Sequence, residues 1–224
     1  MRLTILAATG GVGRHVLAQA LDAGHTVTAV VRDPSAVTDT RAATVAADLA
    51  TVRPAALAGA FDGADAVLSA LGARGADDAR ADVVRNGTRA AVAAMRQAGV
   101  RRLVAVSASP VGTVASPQRP SPPSRDAGDG FLAGRVGYPV LKAVMRDRYA
   151  DLARMEDELR MSGLDWTALR VVRMTDAPLT GRYRTEVGRN VTRGGAIGRA
   201  DVAHCMLAVL EGPDIFAATL GLAR

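Results

Sequence analysis

The sequence predicts one α/β domain built on a doubly wound parallel sheet, and three observations support this fold class. Short apolar runs alternate along the chain with segments of helical periodicity, which is the pattern of repeated β-α-β units. The chain has 224 residues, which suits one domain of this kind and is short for two. Its composition is 49% hydrophobic but only 3% aromatic, and small apolar side chains suit close packing of helices on a sheet.

The first β-α-β unit lies at the start of the chain. Residues 3–8 form an apolar run that ends in glycines, and residues 11–23 carry apolar side chains at helical spacing. Gly24 is expected to end this helix. The β-branched run at 26–31 then predicts the second strand.

The rest of the chain repeats this alternation. Further strands are predicted at residues 43–47, 66–71, 103–106 and 166–172. Helices are predicted at about 51–59, 79–98, 139–162 and 201–210. The last helix is expected to cover the edge of the sheet with its apolar face. Charges at three- and four-residue spacing in the 139–162 helix are interpreted as a solvated face: Asp147, Asp151, Arg154 and Glu158.

Residues 110–137 form a segment rich in proline, serine and glycine with no periodicity, which predicts a loop. A connection of this length inside a compact domain is usually either a functional lid or a disordered linker. The segment follows the C-terminal end of a central strand, where open α/β sheets bind ligands. This position favours a mobile substrate cover.

The net charge of +6 raises the question of a nucleic-acid partner. The basic residues are scattered, no basic run exceeds two residues, and few aromatic side chains are available to stack on bases. The sequence therefore argues against nucleic-acid binding. A small anionic ligand explains positive charge equally well.

Other functional classes are also excluded by composition. Cys205 is the single cysteine and forms no internal disulfide, and with His204 alone beside it no metal site is expected. No apolar run approaches the roughly 18 residues of a membrane span. The opening apolar run is too short for a signal peptide, so a cytoplasmic protein is expected.

The residues between the first strand and the first helix have the features of a phosphate-binding turn: Thr9, Gly10, Gly11, Val12 and Gly13. Gly10 and Gly11 let the backbone approach a pyrophosphate and offer free N–H groups, and the helix start supplies a positive end. Gly13 allows the helix to pack against the strand. The alternative is a tight turn that binds nothing, but the complete β-α-β context favours a dinucleotide.

The residue after the second strand indicates which dinucleotide is bound. A carboxylate there would bond the ribose 2′-hydroxyl of NAD, whereas a guanidinium pairs with the 2′-phosphate of NADP. That residue is Arg32, which favours NADP over NAD. Asp33 is interpreted as an N-cap followed by Pro34 at the first helical position.

Together these motifs resemble the atypical short-chain dehydrogenase/reductase group, in its NAD(P)H-binding branch that includes flavin reductases and biliverdin-IXβ reductases. The resemblance runs nearly end to end. It rests on Ala7-Ala8-Thr9-Gly10-Gly11-Val12-Gly13, Val31-Arg32-Asp33, Ala47-Asp48-Leu49 and the segments 162–167, 176–183 and 199–203. It implies a Rossmann-like fold and an NAD(P)H-dependent reductase.

The resemblance also implies positions for the parts of the cofactor. Thr9 to Gly13 would hold the pyrophosphate, Arg32 the 2′-phosphate, Asp48 and Leu49 the adenine, and Leu71 and Gly72 the ribose region. Ser107 and Ser109 would lie beside the nicotinamide, where a hydroxyl at the end of a central strand can bond a carboxamide or a substrate oxygen. The alternative for each serine is capping of the strand end.

Two departures from the family pattern concern the site. Ala7 replaces the first glycine of the turn, which is tolerated if its φ is negative. Arg173 stands where mammalian-type reductases carry a histidine near the substrate. A guanidinium does not titrate near neutral pH, so the proton donor stays open, although Arg173 could anchor an acidic substrate.

Tyr138 and Lys142 match the Tyr-x-x-x-Lys spacing of ordinary short-chain dehydrogenases, in which the lysine lowers the tyrosine pKa and the tyrosine donates a proton. On a helix the two side chains would share a face. Lys142 is also the only lysine in the chain. The alternative is chance spacing, since Pro139 is expected to start the helix and leave Tyr138 at its mouth.

The leading functional hypothesis is an NADPH-dependent reductase that transfers hydride to a flavin, quinone, enone or carbonyl. Ser107 or Ser109 would orient this small-molecule substrate under the 110–137 lid. The alternatives are a catalytically silent NADP-sensing protein and a non-redox isomerase or cyclase on the same fold. Both a monomer and a homodimer are compatible with the pattern.

Overall fold

The computed structural model describes residues 1–129, 137–212 and 215–224. Its strands are β1 (Arg2–Leu6), β2 (Thr26–Val31), β3 (Ala43–Ala46), β4 (Ala66–Ser69), β5 (Arg102–Ala108), β6 (Asp165–Val171), β7 (Met174–Thr175), β8 (Arg184–Val187), β9 (Ile197–Gly198) and β10 (Ala218–Ala223). Its helices are α1 (Gly13–Asp22), α2 (Pro54–Phe61), α3 (Ala76–Arg80), α4 (Val83–Ala98), α5 (Tyr138–Val144), α6 (Arg146–Arg160) and α7 (Arg199–Glu211). Short 3-10 helices span Pro34–Ala36 and Ser109–Thr113.

Eight strands form one sheet in the order β3-β2-β1-β4-β5-β6-β10-β8, and β7 pairs separately with β9. Every pairing from β3 to β10 is parallel, and only β8 runs antiparallel to its neighbour β10. The chain first builds the sheet outward from β1 to β3 and then restarts on the other side of β1 with β4. This reversal opens a crevice at the carboxyl ends of β1 and β4, where such sheets bind ligands.

Helices cover both faces of the sheet. On one face α1 lies against α7, and their apolar side chains pack on the inward residues of β1, β2 and β10. On the other face α4 contacts both α2 and α6, over a second core of buried apolar residues. The predicted doubly wound α/β fold is therefore confirmed. No helix in the described ranges is long and apolar enough to cross a membrane.

The structure breaks two predicted helices and adds strands. The 79–98 helix divides at Asp82, which has a φ of 53°, and the 139–162 helix divides at Met145. The prediction that the last helix covers a sheet edge is wrong, because α7 lies on a face beside α1 while β10 and β8 extend the sheet. The sequence of β10 contains Gly221, where a Cβ would lie 2.2 Å from the carbonyl oxygen of Arg189. Such a close approach of another backbone requires glycine, and a glycine inside a strand weakens the pattern by which the sequence would predict that strand.

The expectation of a solvated face on the 139–162 helix is wrong for its central acidic residues. Asp151 and Glu156 are 0% exposed and Asp157 is 3% exposed. Asp151 accepts hydrogen bonds from the backbone N–H groups of Val84 (3.1 Å) and Arg85 (2.9 Å) at the start of α4. It therefore supplies the N-terminal cap of α4 from another helix, which explains why the chain breaks at Asp82 without a local cap.

Candidate functional site

The turn between β1 and α1 brings glycines against the end of the first strand. The N–H of Gly10 donates to the carbonyl of Ala7 at 2.9 Å, which closes a tight turn, so the expectation of a free N–H at Gly10 is wrong. A Cβ on Gly13 would lie 2.1 Å from that same carbonyl oxygen. Position 13 therefore accepts only glycine, as the close approach of helix and strand requires.

Ala7 has a φ of 56°, so the condition under which alanine is tolerated at this position, a negative φ, is not met. The left-handed region is strained for a residue with a Cβ. The turn holds Ala7 there because its N–H donates to Val30 at 3.1 Å while its carbonyl accepts from Gly10. Position 7 thus has the backbone conformation that glycine favours.

Replacing Ala7 with glycine should raise the free energy of unfolding by about 1 kcal/mol, since it removes the strain at a positive φ. Urea denaturation of the Ala7→Gly protein measures this change. Ala8→Gly provides the matched control, because Ala8 is fully buried and has no positive φ. We expect Ala8→Gly to be destabilising, and a loss of stability in both variants would contradict strain at Ala7.

A cleft of about 430 Å³ opens above this turn, at the reversal point of the sheet. It runs between the ends of β1, β2 and β4 and reaches Val106 on β5 and Met174 on β7. Nine of the residues proposed from the sequence line it: Thr9, Gly10, Gly11, Val12, Arg32, Asp48, Leu49, Leu71 and Gly72. The cleft is thus long enough to join the phosphate turn to the centre of the sheet.

Arg32 lies at the end of β2 with its side chain exposed on the wall of the cleft. The neighbouring carboxylate, that of Asp33, caps the short helix that follows. Asp33 Oδ1 accepts from the N–H of Ser35 at 2.9 Å and from its hydroxyl at 2.7 Å, and Pro34 opens the 3-10 helix behind it. The predicted N-cap role of Asp33 is confirmed, and these hydrogen bonds hold its pKa below the ordinary value.

The opposite wall of the cleft is formed by the loops after β3 and β4. Asp48 Oδ1 accepts from the N–H of Ala50 at 3.1 Å, which fixes the start of the loop. Leu49 is 5% exposed and offers an apolar surface, with Leu71 beside it on the cleft wall. A flat aromatic base would find apolar contact here and a polar edge at Asp48.

The family of this chain follows from comparison with known proteins. The profile of a family described as NAD(P)H-binding matches residues 7–213. The chain belongs to this NAD(P)H-binding family. The phosphate turn, Arg32 and the cleft all fall within the matched residues, so the family expected from the sequence motifs is confirmed.

Solved structures share the fold of this family member over its whole length. The anaerobillin reductase ChuY from Escherichia coli O157:H7 is 21% identical with a TM-score of 0.75, covering 100% of this chain and 97% of that one. A candidate NADH-flavin reductase from Streptococcus pneumoniae is 22% identical with a TM-score of 0.73, covering 100% and 99%. A short-chain dehydrogenase/reductase from Veillonella parvula, solved with NADP, is 16% identical with a TM-score of 0.76, covering 100% and 94%. At these identities the likeness shows the fold alone.

In this NAD(P)H-binding chain Ser107 lies near the end of β5 and Ser109 just after it, but their side chains are buried and neither lines the cleft. Ser107 is 2% exposed and its hydroxyl donates to Glu156 Oε1 at 2.8 Å. Ser109 is 1% exposed and its hydroxyl donates to the carbonyl of Arg170 at 3.3 Å. The cleft residue on β5 is their neighbour Val106, so both hydroxyls have structural partners and a contact with nicotinamide stays a prediction.

Tyr138 and Lys142 lie on the short helix α5, and Tyr138 is at its N-terminal end, as expected. Lys142 Nζ donates to Thr113 Oγ1 at 3.0 Å. Burial raises the pKa of Tyr138, the charges of Asp129 and Asp126 raise it further, and the Ser109 hydroxyl offsets only part of this. The shift is opposite to the lowering that a catalytic Tyr-x-x-x-Lys pair requires, and the catalytic role stays a prediction.

Arg173 follows β6 with an exposed side chain, and its carbonyl accepts from the N–H of Ile197 at 3.0 Å. It does not line the cleft, which is reached instead by the next residue, Met174. The end of the cleft near β5 is therefore apolar at Val106 and Met174. The anchoring of an acidic substrate by Arg173 stays a prediction.

An ionic cluster that the sequence did not predict lies buried behind β5. Arg170 binds Glu156 with two hydrogen bonds, Nε to Oε1 at 2.9 Å and Nη2 to Oε2 at 2.6 Å. Arg160 adds a third, Nη2 to Oε2 at 2.7 Å. Burial acts to raise the pKa of Glu156, but the two guanidinium groups and the Ser107 hydroxyl outweigh it and keep the pKa below its ordinary value. Glu156 is thus a charged anchor for β5 and β6.

The described part of the proline-rich segment, residues 110–129, is held against the rest of the fold. Ser116 donates its hydroxyl to Asp157 Oδ1 at 2.9 Å. Asp126 Oδ1 accepts from the N–H of Asn190 at 2.7 Å, and Asn190 Nδ2 donates to Asp129 Oδ1 at 2.8 Å. Residues 130–136 of the predicted lid lie outside the described residues. A lid function stays a prediction.

Proposed function

We propose that this protein is an NADPH-dependent reductase that transfers hydride to a small oxidised molecule such as a flavin, quinone, enone or carbonyl. The observation that carries the proposal is the continuous cleft from Arg32, past the phosphate turn, to Val106 and Met174. Its lining has the polarity order of a dinucleotide: a cation at one end, backbone N–H groups in the middle and apolar walls at the other end.

The preference for NADP rests on Arg32 and on the state of Asp33. A guanidinium on the cleft wall can pair with a 2′-phosphate in a bidentate manner. The carboxylate that could bond a 2′-hydroxyl instead receives two hydrogen bonds from Ser35. Both features support NADPH as the cofactor.

The residues of this chain bind and orient, whereas the bound nicotinamide would supply the hydride. Gly11 and Val12 offer backbone contacts to the pyrophosphate, whereas the N–H of Gly10 closes the turn on Ala7. Leu49 offers an apolar face to the adenine. Val106 and Met174 present apolar surface where the acceptor would meet the cofactor, which excludes water from the transfer. Flat conjugated acceptors fit such a surface, and the reductase names of two structural neighbours agree with that class.

Replacing Arg32 with alanine should weaken NADPH binding by about 10- to 100-fold and NADH binding by no more than about threefold. The physical reason is the loss of a charge-assisted contact that only the 2′-phosphate makes. Isothermal titration calorimetry of both cofactors on wild-type and variant protein measures this selectivity. Arg74→Ala is the matched control, because Arg74 also lines the cleft and lies beyond Gly72. Equal losses for both cofactors in Arg32→Ala would remove Arg32 from the 2′-phosphate.

Turnover separates the reductase from a second candidate function, an NADP-binding protein without catalysis. This alternative is favoured by the burial of Ser107 and Ser109, which leaves apolar residues at the nicotinamide end of the cleft. The experiment follows NADPH absorbance after addition of free flavin or a simple quinone to the purified protein. Enzyme-dependent oxidation would support the reductase. Tight NADPH binding without oxidation across flavins, quinones, enones and aldehydes would support the alternative.

A further inference from the structure

One of the arginines on the cleft wall was given no functional role by the sequence motifs. Arg199, the first residue of α7, reaches the cleft from the far side of the phosphate turn. Its side chain lies directly on the turn, because a Cβ on Gly11 would be 3.0 Å from Arg199 Nε and 3.1 Å from its Cδ. The absence of a side chain at Gly11 is what makes room for this guanidinium.

The backbone at Arg199 is held firmly relative to the turn. Gln19 of α1 donates to the carbonyl of Ala200 at 3.0 Å, which ties the start of α7 to the helix that follows the turn. Asp201 accepts from the N–H groups of Thr180 (2.8 Å) and Gly181 (2.9 Å). Arg199 therefore projects from a fixed helix end, and an arginine so placed is suited to hold an anion.

The ion pair that Arg199 makes explains little of its placement. Arg199 Nη1 donates to Asp176 Oδ1 at 2.8 Å, but the Asp176 side chain is 72% exposed. Exposed ion pairs contribute little to stability. Arg14 approaches the same Asp176 oxygen at 3.5 Å from the outer side, with its own side chain 59% exposed. Of these two arginines, only Arg199 lines the cleft.

We propose that Arg199 is a further cofactor-binding residue, whose guanidinium lies over the glycine turn and contacts the pyrophosphate of the dinucleotide. The inference rests on the proposed cofactor function of the cleft. The pyrophosphate carries negative charge, and the turn itself offers only neutral N–H groups. Arg199 supplies the positive charge at that point, and Arg32 supplies it at the 2′-phosphate.

The test compares Arg199→Gln with wild type for four ligands: NADPH, NADH, ADP-ribose and adenosine 2′-monophosphate. Isothermal titration calorimetry should show affinity falling by about 10- to 100-fold for the three ligands that carry a pyrophosphate, by a similar factor for each. Adenosine 2′-monophosphate has no pyrophosphate, and its affinity should change by less than about threefold. This pattern differs from that of Arg32→Ala, which separates the two cofactors.

Two control variants separate binding from a structural role. Arg14→Gln removes a similar charge from the same carboxylate but from outside the cleft, and it should change each affinity by less than about threefold. Asp176→Asn removes the ion pair and keeps the guanidinium, so affinity should be retained or increased. If Asp176→Asn lost as much affinity as Arg199→Gln, the ion pair and not a phosphate contact would be the cause.

The outcomes also distinguish this inference from the proposed function. Wild-type binding of NADPH with unchanged affinity in Arg199→Gln would overturn the role of Arg199 and leave the cofactor site intact. A wild-type protein that bound none of the four ligands would overturn both. Circular dichroism of each variant confirms that it is folded before its affinity is compared.

Discussion

Replacing Arg170 with methionine should lower the free energy of unfolding by about 3–5 kcal/mol, because removal of one partner leaves a buried charge uncompensated. Arg170 and Glu156 have side chains that are 5% and 0% exposed and share two hydrogen bonds. Methionine keeps much of the side-chain volume, so the loss reports the ionic contact more than a cavity. Urea denaturation of both proteins at neutral pH measures the difference.

A control variant and the pH dependence of the free energy of unfolding test whether the ionic contact causes this loss. Arg160→Met removes a contact to the same Glu156 carboxylate and one to Asp157 from a side chain that is 29% exposed, so its cost should be smaller than that of Arg170→Met. In wild type the lowered pKa of Glu156 stabilises the folded protein at pH values above the pKa that this carboxyl has in the unfolded chain. That stabilisation is lost as the pH falls through the pKa of Glu156 in the folded protein. In Arg170→Met the folded pKa should instead lie above the unfolded one. The free energy of unfolding that Arg170→Met loses relative to wild type should therefore become smaller as the pH falls. A loss that did not depend on pH would point to packing alone.

Replacing Gly13 with alanine should cost about 3 kcal/mol or more and abolish NADPH binding. The added methyl would lie 2.1 Å from the carbonyl oxygen of Ala7 and 3.0 Å from the Cα of Ala8. Both contacts are with backbone, so relief requires α1 to move away from β1 and the turn to open. Urea denaturation and a calorimetric NADPH titration measure the two effects.

Gly59→Ala is the matched control for this substitution. Gly59 lies within α2, and a Cβ there would have nothing within 4 Å. Because alanine favours helix over glycine, this variant should gain roughly 0.5–1 kcal/mol. If Gly13→Ala were tolerated as well as Gly59→Ala, the close approach of helix and strand would not be essential for the turn.

The alternation of apolar runs was enough to predict strands β1 to β6 of the sheet, since buried parallel strands are continuous apolar runs in sequence. The pattern failed where a distant residue decides local structure. Asp151 caps α4 across 67 positions in sequence, and no local signal marks that break. The strand β10 was missed because its neighbours in the sheet, and not its own residues, define it.

The residues around the phosphate turn were more predictable than those at the β5 end of the cleft. Glycine spacing and the residue after β2 act through the local backbone, so Gly10, Gly11 and Arg32 reach the cleft as expected. Ser107 lies near the end of β5 and Ser109 just beyond it, but their burial depends on Glu156 and Arg170 from elsewhere in the chain. Arg199 had one available signal, its position at the start of the last helix, which alone does not reveal that it faces Gly11.

The contact between Asp126 and Asn190 bears on how local segments of the protein open to solvent. Gly128 adjoins this contact so closely that a Cβ would lie 1.6 Å from the Asn190 carbonyl oxygen. Asn190 also donates to the carbonyl of Ser109 at 3.1 Å. Two loops far apart in sequence are thereby joined next to the end of β5, and we expect them to open as one cooperative unit. Amide hydrogens in both loops would then exchange with solvent at a shared rate.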